Sequence, residues 1–354
     1  MKPLITALVD TYNHEKYIEQ AVGSVVEQGL SGEELEIVVV DDGSTDGTAA
    51  VVQKFAPRVK LVRKKNGGQA SAFNAGFAAA SGQIVAILDG DDWWAPGKVA
   101  AVAEALEKNR EVAAIGHGYY EFDEATKETK VRAPGARQVL SLASAEATRA
   151  AIPAWGFLLP SALTVRRRVL ERIMPLAEEM VFMADTAIQA AAMAMGTLVL
   201  QEPLFYYRRH AQNLYAIDGE NEARLRRKYA MTEVVHARVQ KMLLEMGVPA
   251  ESARTLLSGT WLDAKRWRLE RFGGSRREAF QTEMEAFAAA VENPSAGYRL
   301  FKYVVVGAAT LLLPARRFYG MRKWYAERGM GRYRERLVRD GVTASYLSQN
   351  SPEE

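Results

Sequence analysis

Short apolar runs alternate with helical patterns over roughly the first third of this 354-residue chain. Strands are predicted at Leu4–Val9, Leu35–Val40, Val59–Val62, Ile84–Leu88 and Val112–Ile115. Helices are predicted at His14–Gln28, Asp46–Phe55, Gln69–Ala80 and Pro96–Lys108. This alternation is typical of a parallel sheet with helices on its faces, so we predict an α/β fold.

The pattern changes twice along the rest of the chain. Between 117 and 215 it is less regular, with a hairpin-like segment at Tyr119–Arg132 and a strand pair at Leu198–Gln201 and Leu204–Arg208. Beyond 216 the chain is predicted to be helical, at Glu220–Met246, Ser252–Phe272 and Arg276–Val291. We therefore expect a first domain over 1–215 that contains the sheet, and an α-helical C-terminal extension over 216–354.

The chain contains no cysteine and only four histidines, none spaced as His-x-x-x-His. This composition excludes disulfide scaffolds, thiol nucleophiles, zinc fingers and iron–sulfur clusters. We expect any metal ion to be held by oxygen atoms, which favours Mg²⁺, Mn²⁺ or Ca²⁺.

Carboxylates crowd the ends of two predicted strands. One strand runs into Asp41-Asp42-Gly43, and another runs into Asp89-Gly90-Asp91-Asp92. In an open parallel sheet the carboxyl ends of the strands form the ligand crevice, so the two clusters should converge. Asp and Gly are also common in simple turns, but two such clusters at successive strand ends favour a divalent metal with a bound phosphate.

A third polar segment, Asn66-Gly67-Gly68, follows the strand at Val59–Val62. It matches neither the Walker pattern nor the Gly-x-Gly-x-x-Gly fingerprint, which argues against a P-loop NTPase or a classical dehydrogenase. A flexible turn before a helix explains this segment as well as a phosphate-binding loop does.

The motifs together resemble those of the family-two glycosyltransferases of GT-A fold. The resemblance rests, in order and spacing, on Val9–Asn13, Val40–Asp46, Asn66–Gly68 with Asn74, and Leu88–Trp94, and it covers about the first 210 residues. It implies a GT-A-like (Rossmann-like) mixed, mostly parallel sheet flanked by helices. Asp10 departs from the family, which usually has Pro or a small residue there.

The resemblance also implies a role for individual residues. The nucleotide-binding residues would be Thr11, Tyr12, Asn13, Asp42, Asn66, Gly68, Asp89 and Gly90, with Asp42 accepting from a uracil-like N–H. Asp91 and Asp92 would bind the metal, Mn²⁺ or Mg²⁺. A UDP-sugar is the favoured donor.

Asp185 is the predicted catalytic base. The segment Phe182–Ile188 resembles the Glu-Asp helix start of these transferases, with Ala184 in place of Glu. From the residues alone, an Asp at a helix start is more often an N-cap, so both readings stay open.

Three further residues are assigned to the acceptor or diphosphate side. Tyr206–Asn213 resembles the Tyr-Arg-x-His-x-x-Asn segment that closes the same fold, so Arg208 or His210 would face the diphosphate. For His210, the end of a capped strand is an equal alternative. Trp155 would line the acceptor side, although a tryptophan in the core is the commoner case.

The tail combines an apolar run, Tyr303–Leu313, with many surrounding Arg and Lys residues and interleaved aromatic residues. An anionic membrane surface is the favoured partner. The alternatives are packing on the chain itself or in a homo-oligomer, and a nucleic-acid patch, which is disfavoured. The N-terminus has no long apolar segment and no apolar run reaches about 20 residues, so we expect a cytoplasmic protein, peripheral at the inner face of the membrane.

The predicted function is metal-dependent transfer of a sugar, with inversion, from a nucleoside-diphosphate sugar to a hydroxyl of a glycan or lipid-linked acceptor in surface-glycan biosynthesis. One alternative is a nucleotidyltransferase, but the first strand is not followed by a glycine-rich loop with Lys or Arg to grip a triphosphate. The other is an inactive scaffold of the same fold, against which the retention of Asp42, Asp89, Asp91 and Asp185 speaks.

Overall fold

The computed structural model describes residues 4–211, 213, 222–289 and 296–329. A single sheet of ten strands forms the centre of the first part of the chain. Its strands are β1 (Ile5–Thr11), β2 (Leu35–Asp41), β3 (Lys60–Arg63), β4 (Ile84–Asp89), β5 (Trp93–Trp94), β6 (Ala114–Asp123), β7 (Thr129–Arg132), β8 (Gln138–Leu140), β9 (Thr164–Arg166) and β10 (Thr197–Arg209).

Helices cover this sheet and connect its strands. They are α1 (Ile18–Val26), α2 (Thr48–Gln53), α3 (Gln69–Ala79), α4 (Lys98–Lys108), α5 (Ala145–Ala151), α6 (Arg167–Ile173) and α7 (Asp185–Ala194). Two 3₁₀ helices, Ile152–Phe157 and Pro160–Ala162, lie between α5 and β9.

The sheet has the order β3-β2-β1-β4-β9-β6-β10-β5, with β7 paired to β6 and β8 to β10. Six strands, β1, β2, β3, β4, β6 and β10, point the same way, because β9 is antiparallel to both β4 and β6. The central strands are almost fully buried, as expected when helices cover both faces of a parallel sheet. The structure thus confirms the predicted mixed, mostly parallel α/β fold.

Two details of the second half of the sheet differ from the sequence prediction. The predicted strand pair Leu198–Gln201 and Leu204–Arg208 is wrong, because both runs belong to the single strand β10 and pair with β6 rather than with each other. The pairing with β6 shifts register around Pro203, which lacks the N–H that a regular ladder needs. The predicted hairpin is confirmed, since Tyr119 pairs with Arg132 where β6 meets β7.

The first helix begins later than predicted, at Ile18 instead of His14. Residues 14–17 form a turn that the neighbouring loop holds, since the His14 amide donates to Thr48 Oγ1 at 2.9 Å. The other predicted helices of this half lie where the pattern placed them and are up to two residues shorter at either end.

The chain divides into two compact units. One comprises residues 1–221 and 234–253, and the other residues 222–233 and 254–354. The predicted domain boundary near residue 215 lies outside the described residues. The remaining helices are α8 (Glu222–Glu245), α9 (Ala250–Phe272), α10 (Arg276–Ala289), α11 (Ala296–Leu312) and α12 (Ala315–Gly329).

The second unit has a small core of its own. The core consists of five buried side chains, Leu269, Ala279, Ala315, Phe318 and Tyr319. Beside it, the Glu283 carboxylate accepts hydrogen bonds from Arg266 at 2.9 Å and from Arg322 at 3.0 Å. Within the described ranges, no helix combines the length and the hydropathy that crossing a bilayer requires.

Candidate active site

The polar ends of β1, β2 and β4 meet at one edge of the sheet. The parallel register aligns Thr11 with Asp41 and Asp10 with Asp89. The predicted convergence of the two acidic clusters is therefore confirmed, because adjacent parallel strands end side by side.

The loops after β1 and β2 are tied to each other. Asn13, at a φ of 58°, accepts a hydrogen bond from the Thr45 amide at 2.8 Å, and its own amide donates to Ser44 Oγ at 2.9 Å. Asn is one of the few residues that tolerate this left-handed backbone. The side chain of Asn13 therefore sets the loop geometry, while the neighbouring Tyr12 is 44% exposed.

The Asp42 carboxylate holds the loop after β3. It accepts hydrogen bonds from the amides of Gly68 at 2.7 Å and Gly67 at 3.0 Å, and from Lys64 Nζ at 2.6 Å. These amides are thus committed to a protein carboxylate, and the loop does not cradle a phosphate with them in this structure. Asn66 is exposed next to them, and the predicted contact of Asp42 with a base stays a prediction.

Gly90 lies at a crowded position, where a larger residue would have to displace its neighbours. A Cβ atom at this position would come within 2.6 Å of Thr11 Oγ1 and 2.8 Å of His14 Nδ1. Thr11 Oγ1 and His14 Nδ1 are themselves 3.2 Å apart. The loop after β4 is therefore packed directly on the loop after β1.

Three carboxylates form a cluster at the end of β4. Asp89, Asp91 and Asp92 each offer an oxygen atom within 4.8 Å of the others. Asp10 adjoins them through Asp89, and the buried Oδ1 atoms of Asp10 and Asp89 have no hydrogen-bond partner within the described part of the chain. Sequence reasoning left Asp10 without a role, although its place at the end of β1 was the signal that it would face Asp89.

Two carboxyl groups at this cluster have raised pKa values, as expected for buried acids beside other carboxylates. Burial, together with the charges of its carboxylate neighbours, raises the pKa of Asp89 well above its usual value. Burial likewise raises the pKa of Asp10 to about 7, against a hydrogen bond with Asp89 that lowers it and with smaller upward contributions from Asp91 and Asp185. Unpartnered carboxylate oxygens are the donor set that Mg²⁺ and Mn²⁺ prefer, so the residues present fit such an ion.

Asp91 and Asp92 differ in their surroundings. Asp91 Oδ2 lies 3.0 Å from His210 Nε2. Burial alone would raise the pKa of Asp91, but the hydrogen bond with His210 and the charge of His14 lower it. Both oxygens of Asp92 already accept hydrogen bonds, from Ser161 Oγ at 2.7 Å and from the Arg208 amide at 2.9 Å. Asp92 therefore anchors the loop, and the predicted metal-binding roles of Asp91 and Asp92 stay predictions.

The guanidinium of Arg208 is held by other groups of the protein, and its predicted place beside a diphosphate stays a prediction. Its guanidinium is 4.5 Å from the centre of the Trp93 ring and 4.8 Å from that of Tyr17. It donates to the Asp91 carbonyl at 2.8 Å and to Glu124 at 2.7 Å, and Gln20 accepts from its remaining nitrogen at 2.6 Å. Stacking and these acceptors hold the charge inside the protein. Of the two residues, His210 is the one whose side chain contacts a carboxylate of the acidic cluster.

Asp185 is the first residue of α7. The residue at the N-cap is Ala184, and therefore the N-cap reading of Asp185 is wrong. Burial raises the pKa of Asp185 to about 6, against the hydrogen bonds from backbone amides and from Gln189 that lower it. The charge of Asp185 in turn acts on Asp10 and Asp89, so these three carboxyl groups lie close together.

The start of α7 is docked on the start of α3. The Ala184 amide donates to Gln69 Oε1 at 2.8 Å, and the Gln69 amide donates to the Val181 carbonyl at 2.9 Å. A Cβ atom at Gly68, whose φ is +84°, would come within 2.5 Å of that carbonyl. The loop that Asp42 holds thus also places Asp185.

Two buried polar residues, Ser161 and Lys98, lie behind the acidic cluster, and Lys98 escaped the sequence analysis as a site residue. Ser161 Oγ, besides donating to Asp92, accepts from the Asp89 amide at 3.1 Å. The ammonium of Lys98 donates to the Ser161 carbonyl and lies 4.6 Å from the centre of the Trp94 ring. A buried Lys is a signal only once the structure shows its burial, because Lys98 lies in an ordinary helical pattern.

Trp155, in the 3₁₀ helix Ile152–Phe157, is half-buried. Its indole Nε1 donates to Gln189 Oε1 at 2.6 Å, and Gln189 Nε2 donates to Asp185 Oδ2 at 2.8 Å. The structure thus links Trp155 to the predicted base.

Comparisons with known proteins find similar sequences over much of the chain. Residues 6–174 match the family model described as Glycosyl transferase family 2. An uncharacterized glycosyltransferase of Nostoc sp. is 35% identical over 256 residues, which cover 70% of this chain and 77% of that protein. A Bacillus subtilis glycosyltransferase assigned to teichuronic acid biosynthesis is 39% identical over 102 residues, which cover 28% of this chain and 40% of the other.

The fold has also been seen in a solved structure. TarS of S. aureus, residues 1–349 in complex with UDP, superposes with a TM-score of 0.60 at 18% identity, covering 87% of this chain and 90% of that one. At this identity the likeness concerns the fold, whereas the Nostoc relative carries the family assignment. This chain belongs to glycosyltransferase family 2 and is a glycosyltransferase.

Proposed function

We propose that this chain transfers a sugar, with inversion, from a nucleoside-diphosphate sugar to a hydroxyl group of a surface glycan or lipid-linked acceptor. One observation carries the proposal: the Asp185 carboxylate lies close enough to Asp10 and Asp89 to act on both of their pKa values. The proposed base and the candidate metal site thus act on each other electrostatically, which supports a site where a base and a metal serve the same displacement.

The donor side is formed by the loops after β1, β2 and β4, within a catalytic domain over residues 1–215. Thr11 and Asp42 would contact the base or ribose, and Asp89 would lie near the ribose. We favour a UDP-sugar as the donor, since the solved structure of similar fold holds UDP. A glycan acceptor follows from the relative assigned to teichuronic acid biosynthesis.

Asp91 and Asp89 would hold Mg²⁺ or Mn²⁺, with His210 next to Asp91 and Asp92 fixing the loop. When bound, such an ion stabilises the negative charge of a leaving diphosphate. The buried Oδ1 atom of Asp89, which has no partner within the described residues, supports this assignment.

Asp185 would take the proton of the acceptor hydroxyl. With a pKa of about 6, it is mostly deprotonated near neutral pH and yet more basic than an exposed carboxylate. Gln189 holds one oxygen of this carboxylate in place. Trp155 would pack against the acceptor sugar, because its ring is half-buried next to Gln189.

The experiment measures release of nucleoside diphosphate from a panel of UDP-, GDP- and dTDP-sugars, with Mn²⁺ or Mg²⁺ and then with chelator. Calorimetric titration with the nucleotide runs in parallel. We expect Asp91→Asn to lose metal-dependent nucleotide binding. Asp185→Asn should keep binding and lose turnover, which separates the roles of the two carboxylates.

Glu128→Gln, an exposed position on the β6–β7 hairpin, is the matched control and should behave like the wild type. The anomeric configuration of the product, read by NMR, tests inversion. A nucleotide affinity that changes neither with the chelator nor in Asp91→Asn would overturn the metal assignment. Full turnover by Asp185→Asn would overturn the assignment of the base.

A further inference from the structure

Helix α11 has one buried face and one exposed face. On the buried side, Gly307 and Thr310 face the rest of the second unit, and a Cβ atom at Gly307 would come within 3.2 Å of the Phe280 ring. On the exposed side lie Val304, Val305, Ala308, Leu311 and Leu312, which we call the α11 stripe. Their spacing places them on a single face of the helix.

The α11 stripe is unusually apolar for a surface. Leu312 is 73% exposed, Val304 57%, Leu311 49% and Val305 48%. Of the eleven large apolar side chains that are exposed within the described residues, these four and Met321 lie between 304 and 321. Scattered apolar residues need no explanation, but a contiguous apolar face that is exposed among the described residues indicates an interaction site.

Cations border the α11 stripe. Arg316 and Arg317 follow Leu312 within five residues and are exposed. Lys323 is also exposed, but its ammonium lies 3.6 Å from Glu270. Over 296–340 the sequence holds eleven Lys and Arg residues against three Asp and Glu residues. Not every basic residue is available, because Arg322 is committed to Glu283.

The aromatic residues of the tail separate into two groups. Phe318 and Tyr319 are buried in the core of the second unit, which confirms the packing alternative for this part of α12. Trp324, Tyr325 and Tyr333 have side chains outside the described part. The surface is therefore defined by the α11 stripe and its cations.

We infer that the α11 stripe, with Arg316 and Arg317, binds the surface of an anionic lipid bilayer. An apolar helix face bordered by cations suits this partner, since the apolar side chains enter the acyl boundary while the cations meet anionic headgroups. A second copy of this chain fits less well, because joining two such faces brings like charges together. A nucleic acid also fits less well, because its phosphate backbone offers no apolar surface to the α11 stripe.

The test uses the full chain and vesicles, and it is independent of sugar transfer. Co-sedimentation is measured with vesicles of phosphatidylcholine alone and of phosphatidylcholine mixed equally with phosphatidylglycerol. The wild type should bind the mixed vesicles and bind less as salt is raised, because salt screens the cations. Val305→Glu combined with Leu312→Glu should lower the affinity at least tenfold.

Two further variants make the result specific. Val131→Glu combined with Val139→Glu changes residues that are 61% and 58% exposed elsewhere, and should leave binding unchanged. Arg316→Gln combined with Arg317→Gln should weaken binding to the anionic vesicles about fivefold for each cation removed. Circular dichroism checks that each variant is folded.

The inference would be overturned if the wild type did not bind the anionic vesicles. It would also be overturned if the α11 double variant bound them as the wild type does. If sedimentation velocity shows self-association that the α11 variant abolishes, while no vesicle binding is seen, a second copy is the partner instead. Either result leaves the proposed sugar transfer untouched, because neither measurement involves donor or acceptor.

Discussion

The side-chain amide of Gln189 donates a 2.8 Å hydrogen bond to Oδ2 of Asp185, one helical turn earlier in α7. The orientation of that amide is fixed from the other side, since the indole N–H of Trp155 can only donate and Gln189 Oε1 accepts from it at 2.6 Å. A residue on the acceptor side is thereby coupled to the charge and position of the proposed base.

Removing this donor should shift the pH dependence of turnover. The pKa of Asp185 is raised to about 6 mainly by burial, and the hydrogen bond from Gln189 lowers it. In Gln189→Leu the pKa should rise further, by about one unit for a hydrogen bond to a charged group. Because the base acts deprotonated, the acid limb of the kcat profile should move to higher pH.

Trp155→Phe replaces the indole with a smaller phenyl ring and removes the N–H that donates to Gln189, so it should shift the acid limb in the same direction by less. Both variants should bind nucleotide as the wild type does, which calorimetry checks. An acid limb that stays in place in Gln189→Leu would show that Gln189 does not act on the base.

Gly90→Ala should lower both the stability of the protein and its affinity for the nucleotide. The added Cβ would lie 2.6 Å from Thr11 Oγ1 and 2.8 Å from His14 Nδ1, two side chains of the neighbouring loop. We expect a loss of about 1–3 kcal/mol in the free energy of unfolding and weaker nucleotide binding, because overpacking forces the two loops apart. Urea unfolding and calorimetry measure the two effects.

Gly23→Ala is the matched control for that substitution. Nothing lies within 4 Å of a Cβ at this position, which is in the middle of α1. Alanine there should stabilise the protein by up to about 1 kcal/mol. Equal effects of the two substitutions would contradict the close contact between the loops after β1 and β4.

Arg208→Lys should destabilise the fold although it keeps the charge. A lysine cannot reproduce the three side-chain hydrogen bonds to Asp91, Glu124 and Gln20, nor the stacking on Trp93. We expect a loss of about 2–4 kcal/mol in the free energy of unfolding, measured in urea.

The neighbouring Arg209→Lys supplies the comparison. Arg209 pairs with Glu121 on the surface, where its side chain is 58% exposed, so the substitution should cost no more than about 0.5 kcal/mol. A similar loss of unfolding free energy at both positions would mean that the burial of Arg208 adds nothing to stability.

Ser161→Ala should destabilise the loop that contains Asp89, Asp91 and Asp92. It removes the donor to Asp92 and the acceptor of the Asp89 amide, both buried, and we expect a loss of about 2 kcal/mol in unfolding free energy. Metal-dependent nucleotide binding should weaken as well. Ser258→Ala, where the hydroxyl bonds only to a carbonyl in its own helix, should change stability by less than about 0.5 kcal/mol.

The sequence predicted the sheet because its signals are local. Alternating apolar runs fix the strands, and the ends of adjacent parallel strands must meet, so the convergence of Asp42 and Asp89 followed from order alone. The same reasoning failed at β10, where two runs separated by Pro203 suggested two strands. Only the shared partner β6 shows that they form one.

The sequence by itself determined the fold class, the family and the acidic edge of the sheet, since these depend on residue type and spacing along the chain. The tertiary structure decided which of these residues are accessible and what each one contacts. It turned Arg208 inward onto Trp93, placed His210 on Asp91, and connected Asp185 to Gln189 and Trp155. Such contacts join residues that are distant in sequence and depend on burial, which a linear pattern does not record.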